Sequence, residues 1–271
     1  MKQFIIIFVL IFSSQYLFAA DFSKFNEILR TNVSEKNLPL GGFETSFDYE
    51  KAKKDKNTQE LINEQKKILS SFDINRLKTK NESLSFWINA YNFFMISTVI
   101  EKGFEANKIS INSVKDLGSF FNPYKIFKKE LHNIGGKLVS LDFMEKTMLL
   151  GNEYKEKGWK DARIHFAVNC ASVGCPPLLN KIYSPKTLDQ TLNENLKKAF
   201  KTPRHLSISG ATLKLTSLFK WYKKDFEEHS GSIKSFIKNY VTEDTSKKIS
   251  STTNIEFIDY NWNLNSPKNM K

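Results

Sequence analysis

Hydrophobic and polar positions alternate with different periods along this chain. Residues 22–34 and 58–79 place apolar side chains at helical spacing and predict two helices, and NESLSFWINAYNFFMISTVIEK over 81–102 predicts a longer one that stops at Gly103. In the third helix the apolar residues run almost all the way round, which is the pattern of a helix buried on every side. Asn89 and Asn92 lie three residues apart within it and so face a similar direction. Buried amides need partners, and either neighbouring loops or a substrate would serve.

Beyond Gly103 the pattern shortens. ELHNI (130–134) and KLVSL (137–141) flank Gly135-Gly136, a pair suited to the positive φ angles of a tight hairpin turn, with His132 expected on the exposed face. Ser140 is placed to cap a helix from Leu141 to about Leu150, and IHFAV (164–168) reads as a buried strand. SPKTLDQTLNENLKKAF opens a helix with Ser184 as cap and Pro185 at the first helical position. HLSIS and TLKL make a second hairpin around Gly210; helices follow near 217–228 and 231–240, and IEFIDYNW (255–262) is extended. Without internal repeat or long linker, this mixture predicts a single α+β domain, a central buried helix packed on a small, mostly antiparallel sheet. The expected divisions are a leader over 1–20, an N-terminal helical extension over 21–54, the α+β body over 55–265 and a tail over 266–271.

The leader changes the picture of where the chain works. Met1-Lys2-Gln3 precedes the apolar run Phe4 to Phe12, then Ser13-Ser14 and the small residues Ala19-Ala20, which together predict a cleaved secretory signal peptide. The run is too short to cross a bilayer, which takes roughly 20 residues, so the expected product is a soluble periplasmic or secreted protein with no transmembrane anchor, in an oxidising compartment. Charge adds less. Forty-one Lys and Arg against 29 Asp and Glu give +12, spread along the chain as a solvated basic surface. There is no phosphate-cradling Gly-rich loop and no nucleic-acid motif, so nucleic acid is not an expected partner, whereas an anionic envelope component remains open.

The candidate chemistry is concentrated in RIHFAVNCASVGCPPLL (163–179), which holds a histidine and both cysteines of the chain. On a strand His165 and Asn169 share a face opposite Ile164, Phe166 and Val168. Pro176 and Pro177 favour a first helical turn that would make Cys175 its N-cap, where the positive end of a helix lowers a thiol's pKa. A thiolate beside an imidazole is an activated nucleophile, and the sharp bend at Ser172-Val173-Gly174 would offer backbone N–H groups to an oxyanion, with Asn89 or Asn169 in support. The histidine needs an orienting carboxylate. Glu145 lies on the apolar stripe Leu141, Met144, Met148, and Asp225 on that of Leu218, Trp221, Tyr222, Phe226. Glu145 is assigned to His165 and Asp225 to a structural pair with Arg163, although the pattern accepts the exchange. The competing reading of two cysteines five positions apart in an oxidising compartment is a Cys170–Cys175 disulfide.

Three stretches, SFWINAYN (85–92), SLDFMEKTML (140–149) with RIHFAVNCASVGCPPL (163–178), and LFKWYKKDF (218–226), together resemble the domain of unknown function 547 family, as does the closing IDYNWNLN (258–265). The resemblance spans roughly residues 55–265. It implies that Glu145, His165 and Cys175 occupy the family's acidic, His and Cys positions, while the position of Cys170 accepts other residues. The order Glu-His-Cys would require a circular permutation for kinship with papain-like or transglutaminase-like folds. The expectation is therefore a secreted cysteine hydrolase or acyltransferase acting on an amide, peptide or related acyl bond, with Cys175 as nucleophile, His165 as base and Glu145 as orienter. No cofactor is expected, and no metal: close His, Cys or carboxylate spacing is limited to His165, Cys170 and Cys175. The alternative is a non-catalytic envelope binding module with the cysteines bridged.

Overall fold

Thr79 starts the helix on which the rest of the chain packs. Its hydroxyl accepts the Glu82 N–H at 3.3 Å and the Glu82 carboxylate accepts the Thr79 N–H at 2.9 Å. This reciprocal cap satisfies two donors that a helix start leaves orphaned. The helix runs Lys80–Lys102, and every residue from Ser83 to Ile100 is buried. The all-round apolar pattern thus marks a core helix, as the sequence predicts. The computed structural model describes residues 20–38 and 42–270. The expected signal peptide lies, apart from Ala20, outside the described residues. Among those residues no helix is long and apolar enough to cross a membrane.

Around the central helix stand Ser23–Asn32, Tyr49–Lys54 and Lys56–Ser70 on one side and a π-helical segment, Phe143–Leu149, on another. Phe25 meets Phe93, Phe72 stacks on Phe86, and Phe143 meets Trp87 edge-on. A second core is built from Phe166, Phe200, Phe219, Phe226 and Phe236 with Leu196 and Ala199 of Leu188–Ala199, Ile233 and Ile237 of Ile233–Lys238 and Ile249 of Glu243–Ser251. The architecture is α+β. Its strands form separate small sheets: the hairpins Val33–Asn37/Phe43–Phe47, Phe104–Glu105/Lys108–Ile109 and His132–Ile134/Lys137–Val139, and a three-stranded sheet. In the last, Leu206–Ser209 pairs antiparallel with Thr212–Thr216, which pairs parallel with Asn254–Ile258.

Several expectations are corrected. Segment 21–54 is more than a helical extension: it contains a hairpin, and Phe22, Phe25, Ile28, Leu29, Phe47 and Tyr49 belong to the first core. The helix expected over 58–79 ends at Ser70, and Glu243–Ser251 adds a helix that its weak apolar spacing concealed. IHFAV is not a strand. Ala162–Phe166 is a 3-10 helix, because the Asp161 carboxylate caps the Arg163 N–H at 3.0 Å and grips its guanidinium at 2.9 and 2.6 Å. The curl sends Ile164 into the first core and Ala162 and Phe166 into the second, so this short segment is the seam between them. Likewise no helix follows Cys175. The Pro176 and Pro177 carbonyls accept the amides of Asn169 and Asn195, and the Leu178 N–H goes to Thr45, which leaves the segment extended.

The two asparagines of the central helix pin loops. Asn92 donates to the Ala167 carbonyl at 2.9 Å and accepts the Asn169 N–H at 2.8 Å; Asn89 does the same for the Tyr183 carbonyl and N–H at 2.8 and 2.9 Å. Either Asn→Ala change orphans two buried backbone groups, and should cost roughly 2–5 kcal/mol in urea unfolding. A loss under about 1 kcal/mol would mean that the loops hold their shape unaided.

His132 is buried rather than exposed, its ring 4.6 Å from that of Phe94. Burial, helped by Lys66 and Lys102, lowers its pKa from 6.5 to about 4. Between those values the unfolded chain holds the extra proton, so stability falls as pH falls, by up to about 1.4 kcal/mol per pH unit. His132→Phe should flatten the pH dependence of the unfolding free energy by about that slope between pH 6.5 and 4. An unchanged slope would contradict a neutral buried ring.

Candidate active site

Segment 162–175 lies at the seam of the two cores, and a cavity of about 290 Å³ opens beside it. Glu145 reaches the cavity from the π-helical segment, Tyr222 and Trp221 from the 218–226 region, and Tyr260 and Trp262 from the closing stretch; His165, Cys170 and Cys175 complete the chemistry-bearing wall. The structure thus brings Glu145, His165 and Cys175 to one cavity. It does not bring Asn89 there, and it distributes the pairings differently.

His165 Nε2 lies 2.8 Å from Asp225 Oδ2, and the other Asp225 oxygen accepts Lys160 Nζ at 2.5 Å. Burial raises the Asp225 carboxyl, but the hydrogen bonds from His165 and Lys160 outweigh it and hold the pKa at about 2. Arg163 pairs instead with Asp161 and Asp189, both at 2.6 Å. The assignment of Glu145 to His165 is therefore corrected: Asp225, the alternative that the pattern accepts, takes the imidazole, and the expected Arg163–Asp225 pair does not form. The reason is the curl at 162–166, which turns Arg163 toward its own cap residue.

Glu145 reaches the same imidazole through an intermediary. Its carboxylate accepts the Tyr222 hydroxyl at 3.0 Å, and the Tyr222 ring stacks on His165 with centroids 3.8 Å apart. Burial pushes the Glu145 carboxyl up, while the His165 ring and the Tyr222 hydroxyl pull it back. The second imidazole nitrogen, Nδ1, is buried without a hydrogen-bond partner.

Both cysteines are free thiols, with their sulfurs 2.7 Å apart. Ala171 takes a left-handed φ of 61°. Cys175 Sγ accepts the Cys170 N–H at 3.0 Å and the Tyr260 hydroxyl at 3.1 Å. The hydrogen bond from Cys175 lowers the Cys170 thiol, and burial pushes the Cys175 thiol well above its usual range. The first proton therefore leaves from Cys170, and the second is held more tightly. No hydrogen bond joins His165 to either sulfur. Three backbone donors at the bend are already spent: Val173 N–H on the Asn263 carbonyl, Gly174 N–H on that of Asn261 and Cys175 N–H on that of Ser172. Gly174 is needed for close packing, since a Cβ there would lie 2.9 Å from the Tyr260 ring. Asn169 is spent as well, on Pro176, Ala171 and Asn265. The Tyr91 hydroxyl in the cavity wall is kept protonated by burial, as is that of Tyr260, which is already given to Cys175.

Sequence reasoning missed Lys160, Tyr91 and Tyr260 and undervalued Tyr222. The available signal was position: Tyr222 stands three residues before Asp225, and Tyr260 lies in IDYNWNLN. Among the described residues no cluster of three His, Cys, Asp or Glu side chains is disposed to hold a metal ion.

No curated protein and no solved structure matches the chain. Residues 74–200, which carry the central helix, Glu145, His165 and both cysteines but end before Tyr222, Asp225 and Tyr260, match the family described as "Protein of unknown function, DUF547".

Proposed function

We propose that this protein is an exported cysteine-dependent acyl-transfer enzyme, a hydrolase or acyltransferase acting on an amide, peptide or related acyl bond. One observation carries the reading: an imidazole fixed by a carboxylate through Nε2 keeps Nδ1 buried and unpartnered in the wall of a cavity that also holds the thiol pair. A group fixed on one side and unsatisfied on the other is held ready for a third partner. Cys175 is a neutral thiol at rest, since burial raises it, so its attack needs a base. His165 takes that proton as the sulfur–carbon bond forms, then gives it to the departing nitrogen or oxygen as the acyl bond breaks. Water, or an acceptor amine or hydroxyl, releases the acyl group in the second half. Asp225 holds the ring and stabilises its cationic form, and Glu145 positions it through the stacked Tyr222. The family resemblance, which favours Cys175 over Cys170, supports the choice of nucleophile, and the leader Phe4 to Phe12 supports export.

The test is acylation of the reduced protein by p-nitrophenyl acetate, read as the nitrophenol burst. Cys175→Ser should abolish the burst and Cys170→Ser should keep it. His165→Gln and Asp225→Asn should each slow it by roughly 100-fold at neutral pH. Equal rates in the wild type and in His165→Gln would remove the base from the mechanism.

A second reading rests on the closeness of the two sulfurs, 2.7 Å apart. It is the non-catalytic envelope binding module, with the cysteines bridged and the aromatic cavity as the ligand site. Mass spectrometry of the unreduced protein separates the two. The enzyme reading expects two alkylatable thiols; a mass lower by two hydrogens, together with resistance to iodoacetamide, would favour the module.

A further inference from the structure

Phe120 and Phe121 are each 94% exposed. They form the tip of a tight turn closed by paired backbone hydrogen bonds between Ser119 and Asn122, and their rings meet edge to face at 5.4 Å. Such turn tips ordinarily carry Gly, Asn, Asp or Ser. Neither ring belongs to either core, so the fold gives no reason for two large apolar side chains there. Behind the tip stand half-exposed Tyr124 and a basic rim: residues 115–130 hold four lysines, at 115, 125, 128 and 129, against Asp116 and Glu130. Asp116 is occupied in capping the backbone of Asn112 and Ser113. The Lys115 ammonium lies over the rings of Tyr124 and Trp262, at 5.2 and 4.2 Å.

We propose that the Phe120–Phe121 turn is the anchor of a peripheral membrane site, entering the headgroup boundary of an anionic bilayer while the lysines behind it engage lipid phosphates. Two observations favour lipid over a protein partner. The apolar element is convex, a pair of rings on a protruding turn, which suits a medium that yields around it rather than one that must offer a preformed cup. The charge is complementary to an anionic surface, locally and in the chain's net +12. The same segment supplies Tyr124, Phe127 and Lys128 to the wall of the thiol cavity. Docking therefore turns the mouth of the cavity toward the lipid, and the substrate class becomes an acyl group carried by the membrane, a lipid ester or a lipid-anchored amide. This last step rests on the cysteine reading; the docking does not.

Flotation of the purified protein with vesicles tests the docking. Wild type should bind phosphatidylcholine vesicles containing phosphatidylglycerol more tightly than phosphatidylcholine alone, and added salt should weaken the binding. Phe120→Ser/Phe121→Ser should lower the partition coefficient by about tenfold or more, with the circular dichroism spectrum unchanged because both rings are exposed. Both proteins are otherwise identical, so lipid affinity from elsewhere in the chain is common to both. Equal partition of the two would overturn the proposal, as would an absence of wild-type binding, or a wild-type dimer that the double change makes monomeric. Cys175→Ser should float like wild type. The Phe double variant should give a normal p-nitrophenyl acetate burst without vesicles, which separates failure of the docking from failure of the thiol chemistry.

Discussion

The carboxamide of Asn92 fixes the position of everything that follows in the site. It projects from the all-buried helix and holds both the Ala167 carbonyl and the Asn169 N–H, so the irregular chain that carries His165 on one side and Cys170 on the other is tied to the most rigid element of the fold. From Asn169 the network continues outward. Its side chain binds Pro176 and Asn265, and Asn265 in turn holds Ala171 and Tyr49. A loop without regular secondary structure must satisfy its backbone polar groups somehow when it is buried. Here side-chain amides take the place of a sheet or helix ladder, and the conformation they impose puts the two sulfurs side by side.

That substitution explains what was legible in the sequence and what was not. Elements with a plain local pattern declared themselves: the central helix by its all-round apolar run, the hairpins by their turns at Gly135-Gly136 and Gly210, and the helices after Ser217 by their spacing. Segment 162–180 misled because its apolar alternation comes from lying between two cores, not from a strand with two faces. Ile164 and Phe166 point to different cores, a distinction that no local period encodes. The residues of the site were legible as types. Their pairings were not, because His165 is 60 residues from Asp225 and the choice between two carboxylates is made by packing. The N-cap role given to Cys175 failed for the same reason: the two prolines fit a helix start, but Asn169, Asn195 and Thr45 supply better partners to an extended chain.

The electrostatics of the cavity follow from unequal burial of its acids. Asp225 has two cationic or N–H partners and stays ionised to very low pH, whereas Glu145 has a hydroxyl and an imidazole at one remove and is raised. Two carboxylates tied to one histidine, one directly and one through the stacked Tyr222, are thus pushed apart in acidity by their surroundings. That is the arrangement by which a protein gives chemically identical groups different roles. On the proposed acyl-transfer reading, one would balance an imidazolium while the other keeps the stacked tyrosine in register.

A rival base exists within the same fold and its failings sharpen the choice. His205 also has a buried, unpartnered Nδ1, and it shares with Cys175 a small void on the far side of the loop. Burial and the neighbouring Arg204 lower its pKa to about 3, so it takes a proton near neutrality far less readily than an unperturbed imidazole. No carboxylate orients it through a hydrogen bond, and the void measures only about 10 Å³, room for a water at most. His165 differs on each count that matters for proton transfer: it has an ionised partner, a stacked ring that fixes its plane, and a place in the wall of a cavity of about 290 Å³. An unsatisfied buried nitrogen is therefore insufficient as a mark of function in this protein. It acquires meaning where an orienting charge and a place in the wall of a larger cavity coincide, and of the two histidines that share a cavity wall with Cys175 only His165 has both.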